Sequence, residues 1–348
     1  MFDFLQTIRE GVEKNASDIH LASGNRPACR IDGEIRFFGG QPLEAGDVEQ
    51  CIRRCLDADR YERFRETGDT DAAVELPGCG RFRLNAFRQS RGPALVLRVV
   101  GARTPELGEL NLPESVNRIL ALKSGLVLVT GPTGSGKSTT LAAVINEFNK
   151  TRHCHIITVE DPIEYLHTPK NCVVSQREVG SDSASYAQAL RAALREDPDI
   201  ILVGEMRDLE SISIAVTAAE TGHLVLSTLH TIGAANTIDR LVDVFPPEQQ
   251  HQIRTQLSMA LKSVISQRLL PAREGRGRVA AFEIMFVNNA IGNLIREGRT
   301  ANLSQIIETG AAAGMITLEK SIRGLYRSGA IDRSVAEEYS FSTAQSMR

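Results

Sequence analysis

The stretch Leu126-Val-Leu-Val-Thr-Gly-Pro-Thr-Gly-Ser-Gly-Lys-Ser-Thr-Thr-Leu141 decides the fold of this chain. Gly131, Gly136, Lys137 and Ser138 stand at the G-x-x-x-x-G-K-[ST] spacing of a phosphate-binding loop. Its flanks suit that role. Leu126 to Val129 is a continuous apolar run, as a buried parallel strand requires. Leu141, Val144, Ile145 and Phe148 recur at helical spacing on one face. Glycines between a strand and a helix let backbone N–H groups close on a polyphosphate, and the helix N-terminus adds its positive end. The candidate nucleotide-binding set is therefore Gly131, Pro132, Thr133, Gly134, Ser135, Gly136, Lys137, Ser138 and Thr139. Lys137 is expected on the β/γ-phosphates, and the Ser138 hydroxyl on Mg²⁺.

Beyond the loop, strand and helix patterns alternate to about residue 230, which predicts a doubly wound parallel sheet. Ligands bind such sheets beyond the carboxyl ends of the strands. Three stretches place chemistry at that edge. Thr158 to Glu164 puts Glu160, Asp161 and Glu164 after a strand, where a carboxylate can orient a water and accept its proton. Ile200 to Glu205 is an apolar strand ending in an acid, and Glu205 is a candidate Mg²⁺ ligand, directly or through water. Asp199 precedes that strand, at the wrong end for the metal. His223 and His230 bracket the next strand; His230 stands at the end where a γ-phosphate is sensed.

Working back toward the N-terminus, residues 1–100 read as a small α/β domain. Phe4, Leu5, Ile8 and Val12 suit a helix, and Ser17 to Leu21 alternates as a strand. Asp32-Gly33 is a hairpin signal. A second helix from Val48 runs toward Phe64. In Gly80 to Phe87, Arg81, Arg83 and Asn85 face one way and Phe82, Leu84 and Ala86 the other. Ala94 to Val100 closes the sheet, with Arg98 interrupting an apolar run. Residues 101–114 form a linker, 115–272 the nucleotide-binding core and 273–348 a mostly helical end. In the last part, Ile253, Leu257, Ala260, Leu261, Val264 and Ile265 read as one long helical stripe. Gly275 to Arg278 is a basic turn, and Ser334 to Glu337 a capping box.

A chain of 348 residues has room for two domains or slightly more. Its net charge of −3 and lack of Trp disfavour a nucleic-acid-dependent ATPase. No apolar run is long enough to span a membrane, and the N-terminus lacks a signal-peptide core, so a cytoplasmic protein without membrane insertion is expected. Of the six cysteines, Cys51 and Cys55 share a helix face, more in keeping with half-buried thiols than with a metal pair.

Taken together, these stretches resemble the secretion ATPase superfamily and, within it, the type IV pilus retraction ATPases of the PilT family. The resemblance spans nearly the whole chain. Ala16 to Leu21 and Arg30 to Glu34 resemble that family's PAS-like N-terminal domain. Gly80 to Asn85 and Val96 to Arg98 resemble its arginine strands. Glu160 to Glu164 resembles its Asp box, Glu196 to Met206 its atypical Walker B, and Thr221 to His230 its His box. The resemblance implies an α/β fold: a PAS-like N-terminal domain, then a RecA-like P-loop ATPase domain with a C-terminal helical bundle. It also implies ATP as substrate with Mg²⁺, and a homohexamer peripheral at the inner face of the inner membrane. The implied partner is the inner-membrane pilus platform protein; no nucleic acid is implied. Glu164 takes the role of catalytic base, with Glu205 and His230 in the site. Arg83 and Arg98 complete the site from the N-terminal domain, and Arg81 shares the strand face of Arg83. No cysteine follows Cys172, so the tetracysteine insert of extension motors is absent. Ala290 to Glu297 resembles the retraction family's AIRNLIRE motif, with Gly292 in place of Arg. An accessory retraction ATPase, or another secretion ATPase of the superfamily, is the nearest alternative.

Overall fold

Period-two alternation in the first hundred residues produces a sheet with one covered face. The computed structural model describes residues 2–31, 33–100, 104–273 and 277–345, the last five of these by backbone alone. It divides into two units, Met1–Arg103 with Glu164–Leu166, and Thr104–Ile163 with His167–Arg348. The first contains α1 (Phe4–Glu13), β1 (Asp18–Ala22), β2 (Ala28–Ile31), β3 (Glu34–Phe37), α2 (Ala45–Cys55), α3 (Ala58–Thr67), β4 (Asp69–Leu76), β5 (Gly80–Gln89) and β6 (Gly92–Val99). The strands form one antiparallel sheet in the order β3-β2-β1-β6-β5-β4. Ile19, Leu21, Phe82, Leu84, Leu95 and Leu97 bury their side chains with Phe4, Ile8, Val48, Ile52 and Phe64 of the helices.

Two details differ from the sequence expectation. The helix from Val48 to Phe64 is broken, because Asp57 turns extended and its carboxylate accepts from Arg60 N at 2.8 Å, starting α3 afresh. The last strand, β6, does not close the sheet but lies inside it, paired with both β1 and β5. Asp32 of the expected hairpin signal lies outside the described residues. Burial pushes the thiols of Cys51 and Cys55 up to about 12. Among the described residues no group of three or more His, Cys, Asp or Glu is placed to hold a metal.

The second unit opens with 3₁₀ turns at Leu107–Leu110 and Glu114–Ala121. It continues through β7 (Gly125–Thr130), α4 (Lys137–Thr151), β8 (His155–Glu160), β9 (Val173–Glu178), α5 (Tyr186–Ala193), β10 (Ile200–Val203), α6 (Leu209–Glu220) and β11 (Leu224–Leu229). Then come α7 (Ala234–Asp243), α8 (Pro247–Ala260), β12 (Leu261–Pro271), β13 (Arg278–Phe286), α9 (Asn289–Glu297), α10 (Leu303–Thr309), α11 (Leu318–Arg327) and α12 (Arg333–Gln345). The sheet order is β13-β12-β7-β11-β10-β8-β9, parallel throughout except for β13, which runs antiparallel to β12. Every residue of β7, β10 and β11 is buried, as expected of strands with helices on both faces.

The stripe from Ile253 to Ile265 corrects the sequence reading. Only its first half is helical; α8 stops at Ala260 and Leu261 begins β12. A short apolar run with Val264 and Ile265 suits a buried strand as well as a helix, and periodicity alone does not separate the two. The β12–β13 hairpin also carries the sheet across the 272/273 boundary as far as Phe286. Glu274 to Arg276, part of the expected basic turn, lie outside the described residues. Ser334 does not cap the last helix. The helix starts at Arg333, and Glu337 pairs with that arginine at 2.7 Å. Gly292 has a packing reason: a Cβ there would meet Ser258 O of α8 at 3.2 Å, so α9 approaches α8 closely at that point. Among the described residues no helix is long and apolar enough to cross a membrane.

One buried group makes stability depend on pH. His167 is 8% exposed, its buried Nδ1 has no hydrogen-bond partner among the described residues, and burial, aided by Lys170, pushes it down to about 4 from 6.5. Between those values the unfolded chain binds a proton that the folded chain refuses. The stability is therefore fully present above about pH 6.5 and falls as pH drops toward 4, by up to about 3 kcal/mol. Urea unfolding at pH 7 and pH 5 should show about 2 kcal/mol of that loss in wild type and a smaller one in His167→Leu, which has no ring to protonate. An equal loss in the variant would contradict the assignment.

Candidate functional site

The phosphate loop owes its shape to its glycines and to a neighbour on β12. Gly131, Gly134 and Gly136 all have positive φ, at +142°, +76° and +87°. At Gly131 the constraint is also steric, since a Cβ would lie 2.2 Å from Gln267 O. Gln267 is 3% exposed. Its Oε1 accepts from Thr140 Oγ1 at 2.9 Å, and its Nε2 donates to Ser135 O. The amide thus ties the middle of the loop to the first turn of α4. That helix begins at Lys137 with Gly136 at its N-cap and no side chain capping it. Its first N–H groups are those a helix leaves for an anion. The Ser135 hydroxyl is buried there with no hydrogen-bond partner among the described residues. Arg278, at the start of β13, donates to Gly134 O at 3.5 Å.

Lys137 folds across the loop. Its ammonium donates to Gly131 O at 2.9 Å and Pro132 O at 3.1 Å. The strand order then decides what else reaches it. Because β11 lies between β7 and β10, His230 emerges between the loop after β7 and Glu205 after β10. His230 Nδ1 is 3.4 Å from Lys137 Nζ and 3.3 Å from Thr133 Oγ1, and Nε2 is 3.4 Å from Glu205 Oε1. An ammonium only donates, so Nδ1 accepts and the proton sits on Nε2, facing the carboxylate. The other Glu205 oxygen accepts from Arg207 Nε at 2.7 Å.

The remaining candidates do not all lie beside this line. Glu160 ends β8 and accepts from Thr158 Oγ1 at 2.7 Å and Gln176 Nε2 at 3.2 Å, which fixes it as a positioned acceptor. Asp161 follows it and is exposed. His223 precedes β11 at the opposite end of the sheet, where its Nδ1 lies 3.0 Å from Ala218 O. Asp199 also lies at that far end, accepting from His155 N at 2.9 Å. Ser138 and Thr139 are half-buried in the first turn of α4. Glu164 groups with the first unit and is exposed.

In the first unit, Arg83 and Arg98 stand directly opposite each other on β5 and β6, on the face away from its core. Like charges so placed repel. Arg98 turns instead to Asp18, its cross-strand neighbour on β1, at 2.8 Å. Burial works to raise the Asp18 carboxyl, and hydrogen bonds from Arg98 and Ser17 outweigh it, so Asp18 stays below the usual carboxylate range. Arg83 makes no hydrogen bond or ion pair among the described residues. Three residues of these sites were not singled out in the sequence: Gln267, Arg207 and Asp18. Gln267 lies in the polar triplet Ser266-Gln267-Arg268, just past the stripe that reads as helix, and carries no signal in the sequence.

A buried strand, a glycine loop closed on a lysine, an uncapped helix N-terminus and an acid two strands away define a P-loop nucleotide hydrolase. The match to the type II/IV secretion system protein family covers residues 3–338, and the chain belongs to that family. It is 49% identical over 336 residues to the type IV pilus retraction ATPase PilT of Pseudomonas aeruginosa, covering 97% of both chains. It is 47% identical to a twitching motility protein of Neisseria gonorrhoeae, over 88% of this chain and 82% of that one. A crystal structure of the pilus retraction motor PilT with bound ADP superposes with a TM-score of 0.90 at 47% identity, covering 97% of each chain.

The Gln267 clamp makes a direct prediction. Gln267→Met keeps the volume and removes both hydrogen bonds to the loop. ADP affinity measured by calorimetric titration should fall about tenfold, the worth of one or two hydrogen bonds. Unchanged affinity in a folded variant would mean that the loop holds its shape without the clamp.

Proposed function

We propose that this chain is a motor ATPase that couples ATP hydrolysis to retraction of a type IV pilus. The observation that carries the hydrolytic part is His230, whose two ring nitrogens reach the phosphate loop on one side and Glu205 on the other. A group so placed responds to a γ-phosphate and passes that response to the metal-side acid. Similarity to a retraction ATPase over 97% of the chain extends the reading from hydrolysis to the pilus.

The roles follow from chemistry. The backbone N–H groups of residues 131–139 and the Lys137 ammonium hold the β- and γ-phosphates. The Ser138 hydroxyl and the Glu205 carboxylate are hard oxygen donors, the kind Mg²⁺ takes, and the orphaned Ser135 hydroxyl marks the same cradle as built for a polar guest. Bound Mg²⁺ neutralises phosphate charge. Glu164 serves as the base that accepts the proton of the attacking water. Arg83 and Arg98 offset charge on the departing phosphate, and Arg83, which makes no ion pair among the described residues, has none of those to break in doing so. The working form is a homohexamer, peripheral at the inner face of the inner membrane, acting on the pilus platform protein there.

Output is assigned to α9. Ile291 and Ile295 are buried in the main core, whereas Arg296 and Glu297 are exposed. Arg296 donates to Asn293 Oδ1 at 3.2 Å and to Ser258 Oγ at 3.3 Å. Just beyond α9, Thr300 Oγ1 donates to Asp239 Oδ1 of α7 at 2.9 Å, a direct link between the output segment and the helix that follows His230. Arg296→Ala combined with Glu297→Ala should therefore leave ATP hydrolysis within about threefold of wild type, a change of under ~1 kcal/mol in the barrier. Twitching motility should be lost in the same variant. Loss of both would place the segment inside the catalytic machine, and loss of neither would reduce it to packing.

A further inference from the structure

Glu283 is an acid in a place where acids are expensive. It lies on β13, is 6% exposed, and no Lys or Arg pairs with it among the described residues. Burying a lone carboxylate costs several kcal/mol unless hydrogen bonds and dipoles hold it. Here two helix starts do so. Its Oε1 accepts from Ala234 N, the first residue of α7, at 2.8 Å, and it also accepts from the backbone N–H of Leu318, the first residue of α11. Both N–H groups belong to the positive ends of their helices.

The turn that Glu283 grips is the one that presents His230. Between His230 and α7 lie only Thr231, Ile232 and Gly233. Thr231 Oγ1 pairs with Thr237 Oγ1 at 2.8 Å, and Gly233 N donates to Ser266 Oγ of β12 at 2.9 Å. Gly233 has φ +84°, and a Cβ built on it would come 3.5 Å from Glu283 Oε1. The turn is thus fastened to β12 by Ser266 and to β13 by Glu283, and the same carboxylate fastens α11. Resting on the proposed role of His230, we infer that Glu283 is a positioning residue for hydrolysis: it sets the register of the His230 turn, and it ties that turn to the C-terminal helices.

The test is a double-mutant cycle on the full chain, reading ATP turnover and ADP affinity. In Glu283→Gln an amide N–H₂ replaces one acceptor oxygen, so one helix start loses its partner while the shape is kept. Turnover should fall about tenfold with ADP affinity within about threefold of wild type. In a His230→Ala background the same substitution should have no further effect, because a residue acting through His230 has nothing left to position. Fully multiplicative losses, or no loss from Glu283→Gln alone, would overturn the inference while leaving His230 in its role. Wild-type turnover in His230→Ala would remove the role of His230, and the inference with it. If Glu283→Gln does not fold, Ser266→Ala loosens the same turn from its other side, and the same cycle with His230→Ala decides.

Discussion

The ammonium of Lys137, held by the carbonyls of Gly131 and Pro132, is the contact around which the second unit is arranged. It requires a loop that turns back over the start of α4, and that turn requires Gly131 to lack a Cβ because Gln267 O occupies the space. Gln267 in turn requires β12 beside β7. With β12 on one side, β11 takes the other, and β10 follows. His230 and Glu205 are carried to their positions by that order, since each sits just past the end of its strand. A polyphosphate site is therefore a consequence of where the strands lie, and the side chains at their ends refine it.

The first unit solves a different electrostatic problem. Two arginines face each other across β5 and β6, a pairing that is mildly repulsive and that a nearby carboxylate relieves. Asp18 supplies it from the neighbouring strand and takes up Arg98, while Arg83 makes no ion pair among the described residues. Asp18 is buried while most of Arg98 faces solvent, so the cost of desolvating the carboxylate offsets much of what the pair contributes to stability. Its consequence is positional, in that it distinguishes two arginines that the sequence presents as equivalent.

Much of this was legible in the residues themselves. The strand–loop–helix around Gly131 to Lys137, the acid closing Ile200 to Val203 and the alternation of Phe82, Leu84 and Ala86 all obey local rules that tertiary packing had no reason to override. What was hidden depends on pairings distant in sequence. Leu261 to Pro271 carries apolar residues on both faces, so its strand character appears only once β7 is beside it. The edge strand β9 has only two valines before four polar residues, too short an apolar run to read as a strand. Glu283 and Gln267 look like ordinary interruptions until the sheet brings them to the turn after β11 and the loop after β7. The family resemblance carried the roles of Glu164, Arg83 and Arg98, none of which periodicity or spacing reveals.

The central claim is that the loop closed by Lys137 is the site at which this chain turns over ATP. Lys137→Ala removes the ammonium and leaves β7, Gln267 and the core of the second unit untouched. Steady-state phosphate release from the purified variant, free of wild-type protein, is the most direct measurement. The account predicts turnover at background level in a folded protein with the wild-type circular dichroism spectrum. Sustained turnover in that variant would contradict it.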